Sequence, residues 1–212
     1  MDTDQLIRTL AADNAHQSRP VGLVLMLALL AAAPVSLLMF FSELGIRPDV
    51  MTAMRNPFFD LKFAVTLALA ISATAVSLHL SRPEASLRGF GWWLLVPAGI
   101  LVAGISGEMM MPQRTPMMTR LVGKNSMACM TAIPEMALPL LAAALYGLRQ
   151  GAPARPAVAG AVAGLLSAGL AATVYASHCT DDSPLFVATW YTIATALVAA
   201  IGALVGAKVL RY

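Results

Sequence analysis

Hydrophobic positions in this chain come as long unbroken runs, neither alternating like a half-buried strand nor striped like an amphipathic helix. Six runs stand out, at about 21–42, 62–81, 91–107, 130–148, 157–176 and 186–208. A helix rises about 1.5 Å per residue, so roughly 20 apolar residues cover the hydrocarbon of a bilayer. A chain inside lipid must also satisfy its own backbone polar groups, which these lengths allow only as helices. The pattern predicts an all-α, polytopic membrane protein with six transmembrane helices. The third run is the weakest, because Gly107-Glu108 closes it early. Pro34 lies inside the first run and predicts a kink there. That run is too long for the apolar core of a signal peptide, and Pro34 follows Ala31-Ala32-Ala33, where it hinders cleavage; an uncleaved helix is expected.

Composition agrees. Hydrophobic residues make up 58% of the chain and charged residues 12%, about half the usual charged share. Little chain remains outside the runs, which leaves no room for a separate soluble catalytic domain. The expected division is an N-terminal segment, 1–20, and a six-helix sensor domain, 21–212. With an even number of spans both termini share a side. That side carries Arg8, Arg19, Arg82, Arg88, Arg149, Arg155, Lys208 and Arg211, and the other carries Arg47, Arg55, Lys62, Arg114, Arg120 and Lys124. The excess of basic residues in short segments places both termini in the cytoplasm.

Within this frame the polar exceptions carry the chemistry. Tyr175-Ala-Ser-His178-Cys179-Thr-Asp181-Asp182-Ser-Pro184 is a polar island between the last two runs, and Cys129 opens the fourth; these are the two cysteines of the chain. The short basic loop 149–156 makes spans four and five antiparallel neighbours, so their far ends, with Cys129 and Cys179, meet on the outer, oxidising face. Three readings of the pair stand open: small buried hydrophobes, a redox pair, or a soft-metal site that adds His178 and favours Cu(I). Glu135 is an intramembrane carboxylate and therefore a candidate modulator, or a headgroup-level residue near the span's end. Met109, Met110, Met111, Met117, Met118, Met127, Met130 and Met136 crowd in or beside loop 107–129. Thioethers in a polar loop bind Cu(I), oxidise to sulfoxide, or pack at the interface.

At the N-terminus, Thr3 or Asp4 caps a short helix whose Leu6, Ile7, Leu10 and Ala11 form one apolar stripe. It suits a membrane surface or a protein partner. Gly160-x-x-x-Gly164 and Gly202-x-x-x-Gly206 allow close backbone approach between spans five and six. The sequence holds no CxxC, no HExxH and no phosphate-binding glycine loop, so an enzyme is not expected. A small transporter and a membrane thiol oxidoreductase are the alternatives.

The N-terminal Thr-Asp-Gln-Leu-Ile-Arg-Thr-Leu-Ala-Ala-Asp, Arg82-Pro83 after span two, Cys129, the segment His178-Cys179-Thr-Asp-Asp-Ser-Pro-Leu-Phe-Val-Ala-Thr-Trp190-Tyr191 and the terminal Leu210-Arg211-Tyr212 together resemble the NrsF family. The likeness runs through nearly the whole chain. It implies a six-span anti-sigma factor that holds an extracytoplasmic-function sigma factor at the inner membrane until stress, without contacting nucleic acid itself. It also implies that Cys129 and Cys179 signal, in response to oxidants or to heavy metals such as chromate, cadmium or copper. The methionine cluster favours reactive oxygen or chlorine species, with copper second. No soluble zinc-binding anti-sigma domain is present, so the partner surface is expected on residues 1–20 and the inner loops.

Overall fold

The computed structural model describes residues 3–5, 7, 20–86, 89–112 and 115–211. Six helices are long and apolar enough to cross a membrane: span one (Val21–Glu43), span two (Pro57–Leu80), span three (Gly91–Met110), span four (Met117–Leu148), span five (Pro156–Ala176) and span six (Pro184–Val209). Each of the six predicted runs falls on one of them. No strand occurs among the described residues. Six crossings bring 44–56, 111–112, 115–116 and 177–183 to one end of the bundle, called here the thiol end, and 81–86, 89–90 and 149–155 to the opposite end.

Span five is the most buried helix and the structural axis; it packs on spans six, two and four. Its composition explains the position, since small residues let neighbours approach to backbone contact. A Cβ on Gly164 would lie 2.6 Å from Val198 O, one on Gly169 2.8 Å from Ala70 N, and one on Gly160 would strike Gly202 O. Span one leans on span four, where a Cβ on Gly147 would meet Leu25 Cα at 2.7 Å. The Ser36 hydroxyl donates across this contact to Met136 O at 3.0 Å, in a stretch of span four that contains Pro134 and Pro139. A proline cannot donate into the helical ladder, and a hydroxyl from a neighbouring helix is one way to satisfy backbone left exposed nearby. Span three is the least buried, consistent with its weak signal in the sequence.

Two spans are not uniform rods. Span four starts with a separate short helix, Met117–Val122, and turns at Gly123 (φ 61°) before the long helix Ser126–Leu148. The turn needs glycine twice over: φ is positive, and a Cβ would run into the Phe186 ring and come within 2.8 Å of the Asp181 carboxyl carbon. Span six opens with a π-helical turn, Val187–Tyr191. Such turns shift the helical register and are frequent at functional sites; this one carries Trp190 and Tyr191.

Candidate functional site: a buried thiol loop

Both thiols are free and fully buried at the same end of the bundle. Cys129 sits on the first turn of the long helix of span four, its N–H donating to Asn125 O at 2.8 Å. Cys179 follows span five, its N–H held by Tyr175 O at 3.1 Å, and its sulfur lies 3.7 Å from Asp181 O. Both sulfurs belong to one buried core cluster. Tyr175 and Tyr191, with ring centroids 5.8 Å apart, wall the pocket. The Tyr191 hydroxyl is buried without an oxygen or nitrogen partner and faces the Cys179 sulfur. Burial pushes the Cys179 thiol above its ordinary range, while the nearby Lys62 ammonium works against this shift.

What holds the loop is a set of ion pairs. Lys62 is completely buried, and its Nζ donates to Cys179 O at 2.8 Å and pairs with Asp182 Oδ1 at 2.7 Å. Arg47 reaches the same groups from loop 44–56: Nη1 lies 3.2 Å from Cys179 O and 3.0 Å from Asp182 Oδ1. Nε and Nη2 of Arg47 hold Asp49 in a bidentate pair, each at 2.7 Å. This pair keeps the guanidinium firmly protonated and lowers Asp49 below the ordinary carboxylate range. Phe59 lies under both cations, 5.6 Å from the Arg47 guanidinium and 5.1 Å from the Lys62 ammonium. Two buried cations are thus matched by Asp49, Asp182, a carbonyl and an aromatic face, as buried charge requires.

The neighbouring acid grips a different helix. Asp181 Oδ2 accepts from Lys124 N (2.9 Å), Asn125 N (2.8 Å) and Asn125 Nδ2 (2.9 Å) at the start of the long helix of span four. Asn125 makes no side-chain cap to its own helix, so a carboxylate from another loop serves these donors and meets the positive end of the helix dipole. Asp181→Ala is expected to cost about 1 kcal/mol, as loss of a cap does. Thermal unfolding in detergent checks this, and Asp181→Asn should retain part of the stability.

Above the pocket, the short helix Met117–Val122 is tied down by Trp190 Nε1 donating to Leu121 O at 3.0 Å and by a buried ion pair, Glu108 Oε1 to Arg120 Nη1 at 3.2 Å. Cys129 and Cys179, expected at the same end of spans four and five, are both buried in one hydrophobic core cluster. Of the residues proposed for a metal site, His178 has its Nδ1 bound to Gly45 O at 2.9 Å. Among the described residues no three His, Cys, Asp or Glu side chains gather to hold a metal. Glu135 does not join the thiols; it lies exposed on the outer surface of span four. Met109, Met110, Met111, Met117, Met118 and Met127 are exposed, Met130 is half-buried and Met136 is core. Ile7 is exposed on a helical stretch, while Leu6 and Leu10 lie outside the described residues. Arg47 and Lys62 are the residues that sequence reasoning missed. The available signal was a lysine at the edge of an apolar run, which reads as a topology charge until its burial is seen.

Six helices long and apolar enough to cross a membrane, with two free thiols buried at one end, define a multi-pass membrane protein in form. No solved structure matches the chain. The family model described as NrsF, negative regulator of sigma F, matches residues 10–212, and the chain belongs to that family. It is 35% identical to the anti-sigma-F factor NrsF of Caulobacter vibrioides and 30% identical to the probable anti-sigma-F factor NrsF of Azospira oryzae, with the whole of each chain covered in both cases. The resemblance drawn from the HC…SPLF…WY segment is thereby confirmed.

Proposed function

We propose that this protein is a membrane-bound anti-sigma factor. It sequesters an extracytoplasmic-function sigma factor at the cytoplasmic face of the bacterial inner membrane and releases it when Cys129 and Cys179 react on the periplasmic side. One observation carries the reading: the two cysteines of the chain, far apart in sequence, are buried in one core cluster, and the loop bearing Cys179 is bonded to helices on either side. The chemistry is a two-electron oxidation. Two thiols lose two protons and two electrons to a peroxide or hypochlorous acid, forming a disulfide while the oxidant is reduced to water, or to water and chloride. The excess of basic residues in the short segments of one side supports a reading in which residues 1–20 and loop 149–155 face the cytoplasm and meet the sigma factor, Ile7 contributing from an exposed helical stretch. The exposed methionines around the pocket are secondary oxidant targets. Coordination by Cu(I) uses the same two sulfurs with no third ligand supplied by His178.

Cys129→Ser and Cys179→Ser variants, made in the full chain, test the sensor. Each should keep sigma bound in untreated membranes and cut release by peroxide or hypochlorite at least tenfold, a change of about 1.4 kcal/mol in differential binding. Co-purification of sigma from oxidant-treated membranes measures it. Normal release by the double variant under every oxidant and soft metal tried would remove the thiols from the mechanism.

A further inference from the structure

The thiol loop is joined to span two at one end of the bundle, and span two is joined to the loop between spans four and five at the other. At the thiol end, Lys62 bonds the Cys179 carbonyl and Asp182 together. Span two then runs without a proline inside it to Leu80; the helix's only proline is at its first residue, Pro57. At the opposite end Ser81 O accepts from Ala152 N at 3.0 Å, and Gly151 packs so closely that an added Cβ would sit 2.6 Å from Ser81 O. A cleft of about 230 Å³ opens at this junction, with Leu80, Glu84, Ala154 and Arg155 in its walls. A straight α-helix transmits axial displacement well, because its hydrogen bonds are regular and its side chains are packed.

We infer that Lys62 is a positioning residue that couples the state of Cys179 to span two, and that span two, rather than a sliding of span four on span five, carries the signal to loop 149–155. This inference rests on the thiol-sensor reading above. The physical reason is that Lys62 bonds the backbone of the cysteine itself. Any rearrangement that brings Cys179 into a new covalent bond must turn residues 179–182, and the ammonium is bonded to both ends of that stretch. Asp181 holds the other side of the loop on span four, so the loop works between two anchors; span four continues directly into loop 149–155, whereas span two reaches that loop from a neighbouring helix through the Ser81–Ala152 hydrogen bond, a contact that a displacement of span two can break.

Hydrogen exchange on the full-length protein in lipid nanodiscs tests this, using hydrogen peroxide as oxidant and mass spectrometry of the peptide that spans 149–155. The Ala152 amide is protected by Ser81 in the thiol form, and oxidation should speed exchange of this peptide roughly tenfold in the parent protein. In Lys62→Met, compared at equal extents of thiol oxidation, the acceleration should vanish, and Lys62→Arg should restore part of it. Gly151→Val keeps the test alive where Lys62→Met fails to fold: lying far from the thiols, it should give fast exchange in both thiol states. Unchanged exchange on oxidation of the parent protein, an undiminished step in Lys62→Met, or a parent-sized step in Gly151→Val overturns the inference. Sigma release with a silent 149–155 peptide defeats only the span-two route, whereas release from the cysteine-free variant defeats the sensor reading beneath it.

Discussion

Asp182→Leu should be among the most damaging single changes outside the helix seams, lowering stability by about 3–5 kcal/mol. The carboxylate sits between Lys62, which has no exposed surface, and Arg47, which has almost none. Removing it leaves Lys62 with a carbonyl and an aromatic face only. Arg47 suffers less, since the bidentate pair with Asp49 remains. An unmatched buried ammonium is the costly species, so removing the second charge should help: the double variant Lys62→Met, Asp182→Leu should be more stable than Asp182→Leu alone. Thermal unfolding of the four proteins in one detergent completes the cycle, and a coupling near zero would mean that the lock is solvated. A melting midpoint fall of roughly 10 °C is expected for the single variant.

The same lock shows what the sequence made legible. The six spans were readable because lipid imposes a length and an apolarity that survive without knowledge of packing. The burial of Cys129 and Cys179 in one core cluster is compatible with what a short loop between spans four and five implies, since it forces them to be antiparallel. Lys62 was not. Its meaning depends on a rotation about the helix axis, and in a helix apolar on every side no amphipathic stripe reports that rotation. The structure starts span two at Pro57, five residues before Lys62, with Asn56 capping the Phe58 N–H. That start carries the lysine inside the bundle, where the sequence placed it at the rim. Glu135 is the converse case: an acidic residue in an apolar run attracts a functional reading, and the structure shows it exposed. Asp181 and Asp182 stand side by side in the polar island, with nothing in the sequence to tell them apart. The structure gives them different work, one holding span four and the other neutralising two cations.

Gly160→Leu is expected to abolish accumulation of folded protein. Gly160 and Gly206 face each other across spans five and six, with a Gly160 Cβ falling 2.8 Å from Gly206 Cα and directly on Gly202 O. These are backbone atoms of a helix, which cannot swing aside as a side chain does. The two helices must separate along their whole contact, so the cost lies at or beyond the upper end of the ~1–3 kcal/mol usual for overpacking. Gly99→Leu is the matched control, because nothing lies within 4 Å of a Cβ placed on Gly99. It adds the same side chain to a surface that already meets lipid, and both level and melting point should stay near the parent's. Equal loss in the two variants would show that leucine disturbs membrane insertion itself; loss confined to Gly160 assigns it to the seam. The seam also bears on the thiols, because span six leads back through the π-turn to Tyr191 and Trp190. A partly folded Gly160→Ala should therefore expose Cys179 to alkylation faster than the parent, with Cys129 following as the lid helix Met117–Val122 loses its Trp190 bond.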